Sequence, residues 1–323
     1  MSQQRVGPSA AAAFAAGVVV AVQGRINGEL GQALDDGVLA AAVNFTVGLM
    51  VLVVLVAARP PARAALRALR GQLVGGQLPR WTLLGGLAGA MYVAGQGVTI
   101  AALGVALFTV ATVAGQTGMG LGVDRFGLGP TGSVPVTALR VAAAVLATGA
   151  VGLAASGREG SGGSGSMVFL LLAFAAGAAV AFQAAFNGRV SVATGQPTVA
   201  ALVNFVVGLT ALVTLLVLTH TVGGRAWPQV PTAVGDLWLY SGGAMGVVFV
   251  VTAAWTVRAL GVLLFSLVVL TGTLLGAVVV DVLFPTDGAQ LTWNLAVGIA
   301  LTLVAVGLAV GPSARRPRSR VAA

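Results

Sequence analysis

The chain of 323 residues is 58% hydrophobic and 8% charged, with a mean hydropathy of +1.00, which excludes an ordinary water-soluble globule. With no Cys and one His, His220, it has no disulfide framework and little material for a histidine-built metal centre or a Ser–His nucleophile pair. Its 17 basic residues, all Arg, against 8 acids give a net charge of +9 and a pI near 11.7; nucleic acid is one reading of that excess, but a membrane protein with a positive cytoplasmic face gives the same figure.

A hydrocarbon core of roughly 30 Å takes about 20 apolar residues per helix. Ten stretches meet that length, near residues 9–30, 37–57, 81–102, 104–124, 134–154, 167–188, 197–219, 237–258, 261–283 and 291–310. The first, with Arg5 before it, has the outline of a cleaved signal peptide, but its sequence recurs inside the chain as the sixth, so it is read as a span. Ten spans put both tails on one side. The tails and even-numbered loops hold thirteen Arg, including Arg59, Arg63, Arg67, Arg70 and Arg80 in the second loop and four more in the last tail. The other face holds Arg25, Arg158 and Arg225, and Arg140 falls inside the fifth span. The positive-inside rule then places both termini in the cytoplasm. Trp81, Trp238, Tyr240 and Trp293 stand at span starts, where an aromatic belt lies. Arg63, Arg67 and Arg70 share one face of a short surface helix at 61–72, positioned to touch anionic lipid.

The chain is written twice. Residues 13–28, AFAAGVVVAVQGRING, align at an offset of 160 with residues 173–188, AFAAGAAVAFQAAFNG, with ten of sixteen positions identical. The same offset lays Val43-Asn44-Phe45-Thr46-Val47-Gly48-Leu49 on Val203-Asn204-Phe205-Val206-Val207-Gly208-Leu209. At an offset of 157, Gly85-Gly86 and Gly89 match Gly242-Gly243 and Gly246, Leu103-Gly104-Val105 matches Leu260-Gly261-Val262, Leu107-Phe108 matches Leu264-Phe265, and Asp124 matches Asp281. Gln, Asn, Phe and Asp coincidences in one order set this apart from a chance match of alanine-rich helices. The expected organisation is a first repeat at 1–155, a Gly/Ser linker at 156–166, a second repeat at 167–310 and a basic cytoplasmic tail at 311–323. Five spans per half is an odd number, so the second copy enters the membrane from the opposite side. The predicted fold is therefore an all-α integral membrane protein of ten transmembrane helices in two inverted five-helix repeats, the plan many secondary transporters use to alternate access around a site between the repeats. The loop charges agree, since the second loop carries five Arg while its counterpart, residues 220–236, carries only Arg225.

A five-span unit with QxxxNG closing its first helix, VNFxVGL in its second, GGxxG in its third and LGVxLF opening its fourth resembles the YdcZ-like family of the drug/metabolite transporter superfamily, here as two fused units covering residues 9–310. The resemblance implies an EamA-like fold, a place in the cytoplasmic (inner) membrane and export of small molecules. It further implies that the first, third and fourth helices of each half line a central cavity while the fifth packs outside.

Amides mark the spans. Gln23 and Asn27 are four apart on one helix face, Asn44 lies at similar depth in the next span, and Gln183, Asn187 and Asn204 repeat the set. They are either two symmetry-related rims of a pathway or interhelical clamps worth about 1 kcal/mol each. The third and fourth spans add Tyr92, Gln96, Gln116 and Thr117, against Phe249, Ala253, Thr273 and Leu274 in the second half. Gln96 and Gln116 are read as substrate contacts or as partners of each other, because an amide in mid-span needs a partner or water. Trp255 with Thr252 offers an aromatic wall or ordinary packing. Asp281 and Asp124 are the nearest approach to a coupling carboxylate, the alternative being an interfacial acid that is paired or solvated. Glycine pairs Gly85/Gly89, Gly242/Gly246, Gly118/Gly122 and Gly272/Gly276 are expected to bring helix backbones together, and His220 is expected to be solvated at an outer helix end.

The function these features favour is a secondary transporter of a small organic solute, an exporter by the resemblance. The expected partners are that solute and the lipid bilayer, with a proton gradient as a candidate energy source and no nucleic acid or cofactor. A non-transporting receptor or scaffold, or a lipid flippase, is the alternative. An enzyme is disfavoured, as no paired-carboxylate, metal or nucleophile constellation stands out, and no GxxxxGK[ST] motif is present to bind ATP.

Overall fold

Stretches of Ala, Val, Leu and Gly some twenty residues long leave the backbone few ways to satisfy its N–H and C=O groups away from water. The chain answers with helix. The computed structural model describes residues 6–130, 132–157 and 164–310. Its helices are α1 (Val6–Ala33), α2 (Gly37–Ala58), α3 (Pro60–Val74), α4 (Gly85–Arg125), α5 (Ala138–Ser156), α6 (Ser164–Thr194), α7 (Pro197–Leu216), α8 (Gly242–Leu283) and α9 (Trp293–Val310). Short 3₁₀ segments at Arg80–Leu84 and Val234–Ser241 lead into α4 and α8, and a π-helical turn, Val217–Val222, extends α7. Among the described residues there is no strand, and seven stretches are long and apolar enough to cross a membrane.

Two pairs of expected spans run on without a loop between them. The third and fourth stretches form one element, α4, broken at a single residue, Gly104, with φ 76° and ψ 162°. At 1.5 Å per residue its 41 residues would run about 62 Å if straight, twice the apolar thickness of a bilayer. Gly104 is the one position in the helix where the backbone turns, and glycine is the residue that takes positive φ without penalty. The eighth and ninth stretches likewise belong to one helix, α8. Residues 158–163 of the expected linker lie outside the described residues, as does the tail from 311.

Local turns repeat with the sequence. Asp35 takes a left-handed φ of 45° between α1 and α2, and Asp36 caps α2 by accepting from the N–H groups of Val38 and Leu39, both at 2.9 Å. At the equivalent place between α6 and α7, Gly195 has φ 65° and Pro197 opens the helix. The surface helix α3 starts with two prolines and buries Ala62 and Leu69, leaving Arg63, Arg67 and Arg70 exposed.

Packing exchanges helices between the halves. α1 lies along α8, and α6 lies along α4; α2 packs on α7, and α5 on α9. Each close approach has its counterpart. A methyl on Gly115 would meet the backbone of Phe174, and one on Gly272 the backbone of Phe14; Gly17 abuts Val269 and Thr273, and Gly177 abuts Thr112. Where α2 meets α7, the rings of Phe45 and Phe205 lie 4.7 Å apart, each seated against the other helix at Gly208 and Gly48 respectively. The core is continuous through both halves, with Ile100, Leu103, Leu107 and Phe108 of α4 packed beside Leu274 and Ala277 of α8 and Ala173 of α6.

Candidate functional site

A cavity of about 480 Å³ opens between the halves, within the range of pockets that enclose small ligands. The first half contributes Gln23, Asn44, Phe45, Tyr92, Thr109, Thr112 and Gln116; the second contributes Gln183, Asn187, Asn204, Phe205, Phe249, Phe265 and Thr273. Within α4, residues 109, 112, 113 and 116 all reach the lining, the i, i+3, i+4, i+7 pattern of one helix face, and in α8 residues 265, 269 and 273 reach it at every fourth position. The hydroxyls of Thr109, Thr112 and Thr273 each donate to a carbonyl of their own helix, so they present oxygen lone pairs to the cavity.

The amides gather into two clusters. In the first, Asn44 Nδ2 donates to Asn27 Oδ1 at 2.7 Å, and Asn27 Nδ2 donates to Gln96 Oε1 at 2.8 Å. The Gln96 side chain also hydrogen-bonds the Tyr92 hydroxyl. In the second, Asn204 Oδ1 accepts from Asn187 Nδ2 at 3.1 Å and Gln183 Nε2 at 3.3 Å. Each cluster is pressed against the glycines of the opposite half. A methyl on Gly242 would lie 2.6 Å from Asn27 Oδ1 and 2.8 Å from Asn44 Nδ2, and one on Gly246 would lie 3.1 Å from Gln23 Nε2. Similarly, a methyl on Gly85 would lie 2.6 Å from Asn187 Oδ1, and one on Gly89 would lie 2.6 Å from Gln183 Nε2. These GGxxG glycines therefore do more than bring backbones together, since they make the recess that receives the partner half's carboxamides.

The sequence candidates divide accordingly. Gln23, Asn44, Tyr92, Gln116, Gln183, Asn187, Asn204 and Thr273 line the cavity. Asn27 and Gln96 are buried behind that lining as partners of each other, so Gln96 neither faces the cavity nor bonds Gln116. Thr117 turns its hydroxyl to the carbonyl of Val113 and is off the lining. The side chain of Trp255 lies outside the described residues. Sequence reading passed over Thr109, Thr112 and the Phe residues, although the helical spacing of 109, 112 and 116 would have shown the first two.

The carboxylates are engaged elsewhere. Asp281, 2% exposed, accepts from the backbone N–H groups of Val105 at 2.9 Å and Ala106 at 2.8 Å. Those are the donors that the Gly104 break frees at the start of the second part of α4, where a helix N-terminus favours a negative group. On the other side of the break, the Ala101 carbonyl accepts from Gly288 N at 3.1 Å. Asp124 pairs with Arg140, and Glu29 with Arg25. Arg189, near the C-terminal end of α6, donates to the carbonyls of Leu128 and Gly127 just past α4.

His220 corrects the expectation of a solvated residue. It is 4% exposed, its ring stacks on Trp227 at 4.4 Å, and its Nε2 lies 3.3 Å from Asp36 Oδ2. Arg225 reaches the same oxygen at 3.2 Å and donates to the Asp35 carbonyl. The loop after α7 thus folds over the α1–α2 turn, in the place that α3 takes over the α6–α7 turn, where Gln72 donates to the Ala193 carbonyl.

An apolar helical protein whose two like halves enclose a chamber edged with uncharged polar groups has the build of a membrane carrier. The chain belongs to the family described as "putative inner membrane exporter, YdcZ", which matches twice, over residues 9–153 and 168–308, so each match falls on one half. It is thus a membrane protein of a transporter family of the exporter class. No curated protein matches the chain.

Proposed function

We propose that the protein is a secondary transporter that carries a small organic solute out across the cytoplasmic membrane by alternating access. The observation that carries this reading is the cavity between the halves, bordered by two amide clusters at equivalent positions of the two repeats, each clasped by glycines of the other half. In this reading α4 and α8 each cross the membrane twice, giving ten spans in two inverted sets of five with both termini in the cytoplasm, a topology that the distribution of Arg supports. The Asn27–Asn44–Gln96 cluster, with Gln23 against Gly246, then lies toward the outer surface and the Gln183–Asn187–Asn204 cluster toward the cytoplasm. Loosening one clasp while the other holds opens the chamber to one side at a time. Asp281 and Asp124 lie off the lining and hold other groups, so neither carries the coupling here.

The test uses the chain's lack of Cys as a clean background. Gln32→Cys and Val192→Cys sit at equivalent exposed positions of the two halves. A membrane-impermeant thiol reagent should label the first only from outside intact cells and the second only after the cytoplasmic face is opened. Labelling of both from one side would end the inverted-repeat reading and the alternating mechanism with it.

A further inference from the structure

Building on that transporter reading, we propose that the solute is uncharged, with an aromatic or aliphatic body and amide- or hydroxyl-type groups at its edge, and that its transfer moves no net charge through the site. No counter-charge among the described residues faces the solute. Among the described residues the lining holds no Asp, Glu or Arg, and the chain has no Lys. Three acids of the helices are committed elsewhere: Asp281 to the two N–H groups at the α4 break, Asp124 to Arg140 and Glu29 to Arg25. An ion brought from water into this chamber loses its hydration and meets only dipoles, a large penalty. Aromatic faces attract cations, yet that attraction falls short of the hydration an ammonium gives up. A carboxamide or hydroxyl, by contrast, exchanges water hydrogen bonds for protein ones at little net cost.

The lining also shows what the solute must offer. Gln23 and Gln116 both reach the lining and make no hydrogen bond to another described residue, each with one carbonyl and two N–H groups to offer. Asn44, also of the lining, has an Oδ1 with no hydrogen-bond partner among the described residues. The Thr oxygens accept only, because their protons are spent within their helices. A solute with both donors and acceptors satisfies this set, whereas a pure hydrocarbon leaves it unmet. Phe45, Phe205, Phe249 and Phe265 supply flat apolar surface for the body.

Three solutes of nearly equal shape test the charge rule: N-acetylphenylalaninamide (uncharged), N-acetylphenylalanine (an anion) and phenylalaninamide at pH 6 (a cation). The full chain carrying Val180→Cys, a cavity-wall position, is reconstituted in liposomes, and N-ethylmaleimide labelling of that cysteine is timed with each solute present. The uncharged solute should protect about tenfold better than either ion, and its flux should be unaffected by a potassium diffusion potential. Gln116→Glu in the same background should shift the preference toward the cation by about tenfold. Protection by none of the three, equal protection by all, or stronger protection by an ion overturns the proposal; a preference for the anion would point to Arg258, whose side chain is outside the described residues. The labelling of Gln32→Cys and Val192→Cys uses no solute, so failure of the transporter reading and failure of the charge rule show up in separate experiments.

Discussion

Replacing Asp281 by Ala removes the acceptor for two backbone N–H groups, those of Val105 and Ala106, at a site 2% exposed. Each buried donor left without a partner costs about 1–3 kcal/mol, so the variant should lose about 2–6 kcal/mol of stability. Asp281→Asn keeps one acceptor oxygen but turns an NH₂ group toward the other donor and removes the charge that the helix start favours, for a loss of about half that. Titrating the purified protein in mild detergent with SDS, read by fluorescence of its Trp residues, should give midpoints in the order wild type, Asn, Ala. The ranking should hold whether or not a pH gradient drives flux in liposomes. If Asp281→Asn unfolds like wild type while losing only gradient-driven flux, the capping argument fails and Asp281 becomes the coupling carboxylate.

Gly104→Ala forces a side chain into φ 76° and puts a methyl 3.0 Å from both Ala289 Cα and Asp281 Oδ2, which should lower stability by about 1–3 kcal/mol in the same titration. Gly89→Ala places a methyl 2.6 Å from Gln183 Nε2 and 3.0 Å from Asn204 Nδ2, at a cost of about 1–3 kcal/mol. Combined with Gln183→Ala the loss should be smaller than the sum, a coupling that a double-mutant cycle detects. Asp36→Asn should retain the α2 cap but lose the ionic contact with Arg225, whereas Asp36→Ala loses both; thermal unfolding should separate the two by about 1 kcal/mol.

What could be read from the sequence is whatever repeats or is periodic. The offset of 160 equated Asp35 with Gly195, and the backbone puts positive φ at both. It equated Gln23, Asn27 and Asn44 with Gln183, Asn187 and Asn204; the second trio is joined by hydrogen bonds, whereas in the first half Asn27 and Asn44 join Gln96 and Gln23 stands apart. What escaped depends on which half a residue faces. Apolar periodicity is faint in helices surrounded by apolar neighbours, so nothing marked Gly85 and Gly89 as the seats for the other half's amides, or sent Gln96 behind the lining. His220 misled for a different reason: a lone polar residue at a helix end is usually solvated, and only the fold of the 223–233 loop brings Trp227 and Asp36 to it. The break at Gly104 falls where the third stretch was expected to end and the fourth to begin; what the sequence did not mark is that one glycine makes it with no loop between, because a glycine in an apolar stretch reads the same whether it packs or turns.

The pairing of α1 with α8 bears on how the chain is made. Synthesis runs from the N-terminus, so α1 enters the lipid some two hundred residues before its partner exists. Until α8 emerges, Asn27 and Asn44 lack the recess at Gly242, and Gly17 faces hydrocarbon or a provisional neighbour in place of Val269. The first repeat is therefore an unfinished surface during translation, and closure waits on the synthesis of α8. Truncation before residue 242 should leave a product that inserts yet stays open to proteolysis, while the two repeats expressed as separate chains should recover by finding each other in the bilayer.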